Sequence, residues 1–397
     1  MRILQVIPYF TPKRGGDVNA CYHISKELAR RGHNVTILTT DFEFDKDYAK
    51  SLEKFGVKIV PVNCVMRVGL FLYSPAIKSW LKFNIKNYDV VHMHSFRSYQ
   101  NNIVMKYAVI FKVPYVVQPH GSTPYIGKLP LVMLKRIYDI LWGNKIMKNA
   151  AKIIALNLSE LKKIIVQFKN NNISNKIVII PNGIDLSEYN ELPPKRSFKK
   201  KYNIPEEKKI LLYLGRIDKT KGINLLISAY AHLKNEMKCS DSILIIAGPD
   251  YGCLNNAKAL ANSLGVYNSV MFTGFISSED KLMALVDADV FVSPSFYGFP
   301  MTFLEACAVG TPVVTTCLSD RLEWIDGNVG YVVQPKPRDL AEAINKIIND
   351  HELHRKLSKN CIEIVKSEFS VEKVVKILEK VNEEIVNGRA NLRKCDR

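Results

Sequence analysis

Three things are scarce in this chain. No apolar run approaches the length needed to cross a membrane, and the first one, after Met1 and Arg2, ends at Pro8. That run reads as an opening strand and excludes a signal peptide or anchor there. The eight cysteines (Cys21, Cys64, Cys239, Cys253, Cys307, Cys317, Cys361 and Cys395) show no close-paired spacing. This excludes a zinc cluster and a disulfide framework, and suits reduced core thiols in a cytoplasmic protein. Acid is also short: 38 Asp+Glu face 56 Lys+Arg, a net charge of +18. The shortage is local. Residues 1–195 hold 28 basic against 13 acidic groups, and residues 60–170 hold 16 against 3, whereas 196–397 are nearly balanced at 28 against 25. A basic field confined to one part of the chain attracts phosphates, whether of nucleic acid, an anionic membrane surface or a lipid-phosphate substrate. Solubility charge on exposed helices would give the same counts.

What is present is a long α/β chain. At 397 residues, with 47% apolar and 24% charged residues, it is too long for one ordinary core and apolar enough to bury large sheets. Short β-rich runs at 2–7, 34–39, 58–62, 89–93, 115–118, 152–156 and 178–180 alternate with helical patterns. The stretch 191–205, with Pro193, Pro194 and a Lys/Arg cluster, reads as a linker. The alternation then restarts with strands at 210–214, 243–247, 270–272, 290–293, 312–315 and 331–333. The fold class is α/β, with two tandem Rossmann-like domains facing across a cleft: 1–192, and 205–370. After Arg338 only helical segments remain, at 339–348, 353–367 and 371–385. Residues 371–388 are expected to cross back as a helix onto the first domain.

The chemistry gathers at strand ends. Between Val290 and Gly310 a buried strand, a Pro/Gly turn and a helix carrying Glu305 set a carboxylate beside a helix N-terminus, which suits a phosphate-bearing ligand with hydroxyls. The strand ending at Leu214 runs into Gly215-Arg216-Ile217-Asp218-Lys219-Thr220-Lys221-Gly222. Two cations there can neutralise a diphosphate leaving group; solvated loop charge is the plainer explanation. Gln118-Pro119-His120-Gly121 ends another strand, placing His120 toward the ligand side, although a lone histidine is often structural. His92 and His94, two apart on a strand, face one side together. They lack further ligands nearby and are read as cleft or core residues, with no metal expected. Pro181-Asn182-Gly183 is read as a turn using positive φ, and Gly15-Gly16 as a close approach of backbone to ligand.

Taken in order, Gly-Gly after the first strand, His120-Gly121, Pro181-Asn182-Gly183-Ile184-Asp185, Gly215-Arg216-Ile217-Asp218-x-x-Lys221-Gly222, Phe272-Thr273-Gly274-Phe275 and Gly298-Phe299-Pro300-x-x-x-x-Glu305-Ala306 resemble family 4 of the retaining, GT-B-fold glycosyltransferases (glycosyltransferase group 1). The resemblance covers nearly the whole chain. It implies that Arg216 and Lys221 hold the diphosphate of a nucleotide-sugar donor, that Glu305 holds the ribose, and that Gly16 lies beside the phosphates. It implies His120 at the reacting sugar, with His120, Arg216 and Lys221 as the catalytic set, and donor contacts from Phe275, Tyr297, Gly298 and Phe299. The expected reaction is hexosyl transfer from a UDP- or GDP-sugar with retention of configuration, with no metal or other cofactor. One position departs from the family pattern: Tyr297 stands eight before Glu305, where a first glutamate is usual. A neutral phenol cannot act as a carboxylate. Either another group supplies the charge, or the donor sugar differs, or turnover is lost, and the last gives the alternative of a non-catalytic sugar-nucleotide-binding partner of another transferase.

Residues 66–83 and 129–148 interleave aromatic and aliphatic side chains with Lys and Arg. On helices such a mixture suits a membrane interface, and it equally suits core helices with a basic solvent face. With the basic field, it sets the expectation of a cytoplasmic enzyme, peripheral at the inner membrane face, acting on a glycan or lipid-linked acceptor. A nucleic-acid binder has no recognisable module behind it and ranks last.

Overall fold

Strand residues that are apolar on both sides need cover on both faces of their sheet. The computed structural model provides it in two units, residues Met1–Gly183 with Val371–Arg397, and Ile184–Ser370. It describes the chain apart from residues 69–70, 126, 238, 240, 296–298, 318–322 and 396–397, and apart from the side chains of 170 and 390–395.

The first unit carries β1 (Arg2–Val6), β2 (Asn34–Thr40), β3 (Lys58–Val62), β4 (Met66–Val68), β5 (Phe71–Tyr73), β6 (Val90–His94), β7 (Tyr115–Gln118), β8 (Lys152–Ala155) and β9 (Ile177–Ile179). Seven of these form a parallel sheet in the order β3-β2-β1-β6-β7-β8-β9, the doubly wound arrangement the alternation predicts. Side-chain alternation divides the core in two. Leu4, Leu38, Val91, Val117 and Ile153 join one cluster, and Ile3, Ile37, Val90, Val116 and Ile154 the other.

The final helix, Val371–Cys395, covers the second of these faces, with Val374, Val375 and Leu378 packed among Ile3, Ile7, Cys21 and Ile24. The crossing-back expected from sequence is thus present. Its seam is pinned by Glu379, which accepts from Arg31 Nε at 2.7 Å and lies 2.7 Å from His33 Nε2. Burial raises the Glu379 carboxyl, but hydrogen bonds from Arg31 and His33 outweigh it and hold it below its ordinary value. A carboxylate depressed in the folded state stabilises above its unfolded pKa, and that contribution fades as pH falls through the folded one. Glu379→Gln should therefore cost about 1.5 kcal/mol at neutral pH, and the gap from wild type should close on acidification below about pH 4.5. Urea titrations across pH 3–7 measure it, and a gap independent of pH would contradict the pairing.

Three readings of the sequence change. Residues 66–83 do not open as a helix: β4 and β5 pair as an antiparallel hairpin, and the helix is Pro75–Asn84, started by Pro75. Pro181-Asn182-Gly183 does not use positive φ, since Asn182 and Gly183 are absent from that region of backbone space. Glycine is needed at 183 because a Cβ there would lie 2.8 Å from the Val371 Cα. The presumed linker is also structured. Within the second unit, helix Ser197–Lys201 buries Phe198, and the Asp287 carboxylate accepts from the backbone N–H groups of Arg196, Phe198 and Lys199.

The second unit holds β10 (Lys209–Leu214), β11 (Ser242–Ala247), β12 (Val270–Gly274), β13 (Val290–Ser293), β14 (Val313–Thr316) and β15 (Gly330–Val333). They form a parallel sheet ordered β12-β11-β10-β13-β14-β15. Leu211, Tyr213, Leu244, Ile246 and Val292 pack against helices Ile223–Asn235 and Pro337–Asn349. The chain order reverses between β10 and β13, the switch point beside which such sheets place ligands. No described helix is long and apolar enough to cross a membrane.

Candidate functional site

At the switch point of the second unit, backbone hydrogen bonds shape the turn after β10. Gly215 N–H donates to the Ala247 carbonyl at 3.0 Å and Ile217 N–H to the Pro249 carbonyl at 2.9 Å. The Tyr213 hydroxyl donates to the Arg216 carbonyl at 2.9 Å. The two strand ends are pressed so closely that a Cβ on Gly248 would lie 1.9 Å from the Gly215 carbonyl oxygen. Asp218 closes the turn by accepting from Thr220 N–H at 2.7 Å. Gly222, at φ +69, then starts helix Ile223–Asn235 with no side-chain cap, leaving its first N–H groups open.

This scaffold places Arg216 and Lys221 on one turn. Arg216 is half exposed, lies over the Tyr251 ring at 5.1 Å and stands 3.5 Å from Asp218 Oδ2. Lys221 is half-buried, and among the described residues its ammonium has no hydrogen-bond or ion-pair partner. Burial first, and then the neighbouring Arg216 charge, push the Lys221 pKa down, with Asp218 opposing. A cation held under such pressure is relieved by an incoming anion.

Across the switch point, β13 leads to Phe299, Pro300 and helix Met301–Ala308. Glu305 sits in the second turn of this helix. One of its oxygens accepts from Lys281 Nζ at 2.9 Å, while Oε2 is buried with no partner among the described residues. An unsatisfied buried carboxylate oxygen is costly and is suited to a donor from a ligand. Tyr189 is near enough that burial, followed by the Glu305 charge, raises its hydroxyl pKa. The Phe299 side chain packs on Phe369 at 5.6 Å, so only its backbone is available to a ligand. Phe275 is 77% exposed just beyond β12. Tyr297 and Gly298 lie outside the described residues.

In the first unit, Gly16 is exposed at the start of helix Gly16–Arg30. Asp17 beside it accepts from Ser95 Oγ at 2.8 Å and from Val18 N–H at 3.0 Å, and burial raises its carboxyl. His120 follows β7 at φ +53, strained for a residue with a side chain, and Gly121 continues at φ +75. The Gly121 N–H donates to Glu160 Oε1 at 2.6 Å, which fixes the turn. His120 Nε2 lies 2.9 Å from His94 Nδ1, and His94 Nε2 lies 2.7 Å from Gln5 Oε1. The rings of His92 and His94 stack at 4.3 Å, and those of His94 and His120 at 5.2 Å. Burial drives all three down, His92 and His120 to about 3, so the stack is neutral at pH 7.

The structure thus brings Arg216 and Lys221 together on one turn, sets Glu305 on the facing helix of the same sheet, and keeps Gly16 and His120 on the first unit. Sequence reading missed Lys281, Tyr189 and the Gln5–His94 support. A signal for Gln5 was available, since it is the single polar residue inside the apolar run of β1.

Two family models match the chain. One, described as Glycosyltransferase Family 4, covers residues 14–188, and the other, described as Glycosyl transferases group 1, covers residues 194–363. An uncharacterised glycosyltransferase of Methanocaldococcus jannaschii is 26% identical over 389 residues, covering 95% of this chain and 96% of its own length. A phosphatidyl-myo-inositol mannosyltransferase of Mycolicibacterium smegmatis is 27% identical, covering 89% and 86% respectively. Among solved structures, Anabaena HepE in complex with UDP and glucose matches with a TM-score of 0.76 at 18% identity, covering 97% of this chain and all of its own. The shared architecture is the two-domain, Rossmann-like GT-B fold.

Proposed function

The chain belongs to the family 4, group 1 glycosyltransferases, and from that premise we propose that it moves a hexosyl unit from a UDP- or GDP-sugar to a glycan or lipid-linked acceptor, with retention of configuration. The observation that carries the donor assignment is the Arg216–Lys221 turn, where a lysine with no hydrogen-bond or ion-pair partner among the described residues is held below its ordinary pKa. A diphosphate would satisfy both cations and the open amides at Gly222, and its charge would be stabilised most as the leaving group departs. A ribose hydroxyl donating to Glu305 Oε2 would satisfy the remaining bare oxygen. The roles proposed for the first unit are Gly16 toward the phosphates and His120 toward the reacting sugar, with attack on the face the leaving group vacates. UDP bound to the HepE structure supports a nucleotide donor.

The two cations would do the work that a metal does elsewhere, so no metal is assigned. Thermal-shift screening against UDP-glucose, UDP-N-acetylglucosamine and GDP-mannose tests the reading. One of them is expected to raise Tm by several degrees at 100 times its Kd, about 2.7 kcal/mol, equally with and without EDTA. No shift from any of them would sink it.

For the acceptor, the phosphatidyl-inositol substrate in the mycobacterial relative's name and the surface of the first unit point the same way. Helix Leu129–Tyr138 and the π turn Asp139–Gly143 expose Leu129, Leu134 and Ile140 at 73, 63 and 71%. Arg136 lies on the same helix, and Lys145 on the helix that follows, Asn144–Asn149. Apolar residues standing out of a basic field fit a peripheral contact with an anionic bilayer. Leu134→Asp with Ile140→Asp should lower co-sedimentation with vesicles containing phosphatidylglycerol by at least tenfold while leaving Tm intact. Equal binding to neutral vesicles, or binding that survives both changes, would remove the membrane from the scheme.

A further inference from the structure

The three stacked imidazoles of the first unit are neutral, so each carries one proton on one of two nitrogens, and the hydrogen bond at one nitrogen decides the state of the other. The order of contacts then has a direction. Gln5 Oε1 can only accept, so His94 Nε2 carries the hydrogen between them, at 2.7 Å. His94 Nδ1 is left as the acceptor, and at 2.9 Å it takes the hydrogen of His120 Nε2. His120 Nδ1 therefore bears a lone pair. It is buried and has no partner among the described residues.

We infer that Gln5 and His94 are positioning residues that lock His120 in its Nε2–H tautomer, leaving Nδ1 as a hydrogen-bond acceptor for a hydroxyl of the donor sugar. The assignment rests on the role proposed above for His120 and adds what that role requires. A histidine free to exchange tautomers would present a donor part of the time and would misorient the hydroxyl it holds. Position is fixed as well as protonation. Gln5 lies on β1 and His94 on β6, neighbouring strands in which Gln5 is paired with His92. The stacking of His94 on His120, with 14° between the ring planes, holds the third ring parallel. None of this depends on the left-handed backbone at His120, which aims the ring but cannot choose its tautomer.

The experiment is nitrogen NMR of the full chain labelled at histidine, read beside steady-state release of nucleoside diphosphate from whichever sugar nucleotide raises Tm. Wild type is expected to show His120 protonated at Nε2 alone. Gln5→Leu, close in volume and apolar, should release the tautomer lock and lower kcat roughly ten- to a hundredfold with donor KM changed less than threefold. Gln5→Glu, which keeps an acceptor toward His94, should restore both. His94→Phe keeps the stack and removes the relay, and should behave as Gln5→Leu. Finding His120 protonated at Nδ1 in the wild type would overturn the inference. So would a released tautomer with unchanged kcat, or failure of Gln5→Glu to rescue. Loss of the His120 contribution itself is read separately: if His120→Ala leaves kcat intact, the role of His120 falls, whatever the NMR reports.

Discussion

Lys221→Ala is expected to lower kcat/KM for the sugar nucleotide by roughly 10³, about 4 kcal/mol of transition-state stabilisation, and to abolish the donor-induced rise in Tm. The reasoning starts from what the lysine tolerates without ligand. Burial and the Arg216 charge push its pKa down, which means the folded protein without donor is less stable for holding this cation charged. A group that is costly at rest and is relieved by an anion contributes most when the anion's charge is greatest, as the bond to the sugar breaks. Two outcomes should therefore diverge in the same variant. Donor turnover collapses, while the Tm of the free protein stays level or rises. Lys221→Arg, which keeps charge but changes reach and shape, should recover only part of the activity. Unchanged turnover in Lys221→Ala, measured at saturating donor, would remove the diphosphate assignment.

The second large effect concerns stability. In the first unit, Asp139 accepts from Arg97 through both oxygens, at 2.9 and 2.7 Å, and also from the Tyr125 hydroxyl at 2.9 Å and Gln167 Nε2 at 2.8 Å. Two further N–H groups of Arg97 donate to the carbonyls of Ser122 and Thr123, both at 2.7 Å. The Asp139 side chain is 4% exposed and that of Arg97 11%. Removing one member of such a pair leaves an uncompensated buried charge and typically costs 3–5 kcal/mol. Arg97→Ala should lower the Tm of the first unit by about 10 °C, with the transition of the second unit unmoved. Because Ser122 and Thr123 lie two and three residues after His120, activity should decline at temperatures below the new midpoint. Asp139→Asn, which keeps most acceptors without the charge, should be milder. A shift of less than 2 °C in Arg97→Ala would show that the network is dispensable.

These two predictions differ in how far the sequence announced them. Lys221 was legible because a strand end, a glycine and a helix start fix its place within a few residues, and both strand and helix show in the apolar pattern. Every parallel strand was legible for the same reason, with ends moving by a residue or two. The Arg97–Asp139 pair was not, since the partners are 42 positions apart and meet only when the chain after β6 and the π turn fold against each other. Gln5 lies on β1, His94 on β6 and His120 in the turn after β7, so their relay exists only after these three strands have paired. The hairpin β4–β5 was missed because three-residue strands carry too little alternation to be told from a helical turn. Helix Ser197–Lys201 was missed because its order depends on Asp287, some ninety residues on. Tyr297, the departure from the family pattern, falls outside the described residues.

The final helix gives the first unit an unusual history during synthesis. β9 ends at Ile179, and Val374 is made 195 residues later, roughly 10 to 40 s at 5–20 residues per second. Throughout that interval the ribosome has released a finished sheet whose Ile3, Ile7 and Ile37 lack part of their cover. The second unit, contiguous in sequence, has everything it needs and can fold while the first is still waiting. Maturation of the earlier-made half is thus the last event on the assembly line, and a chaperone that shelters an apolar sheet face would find its client there.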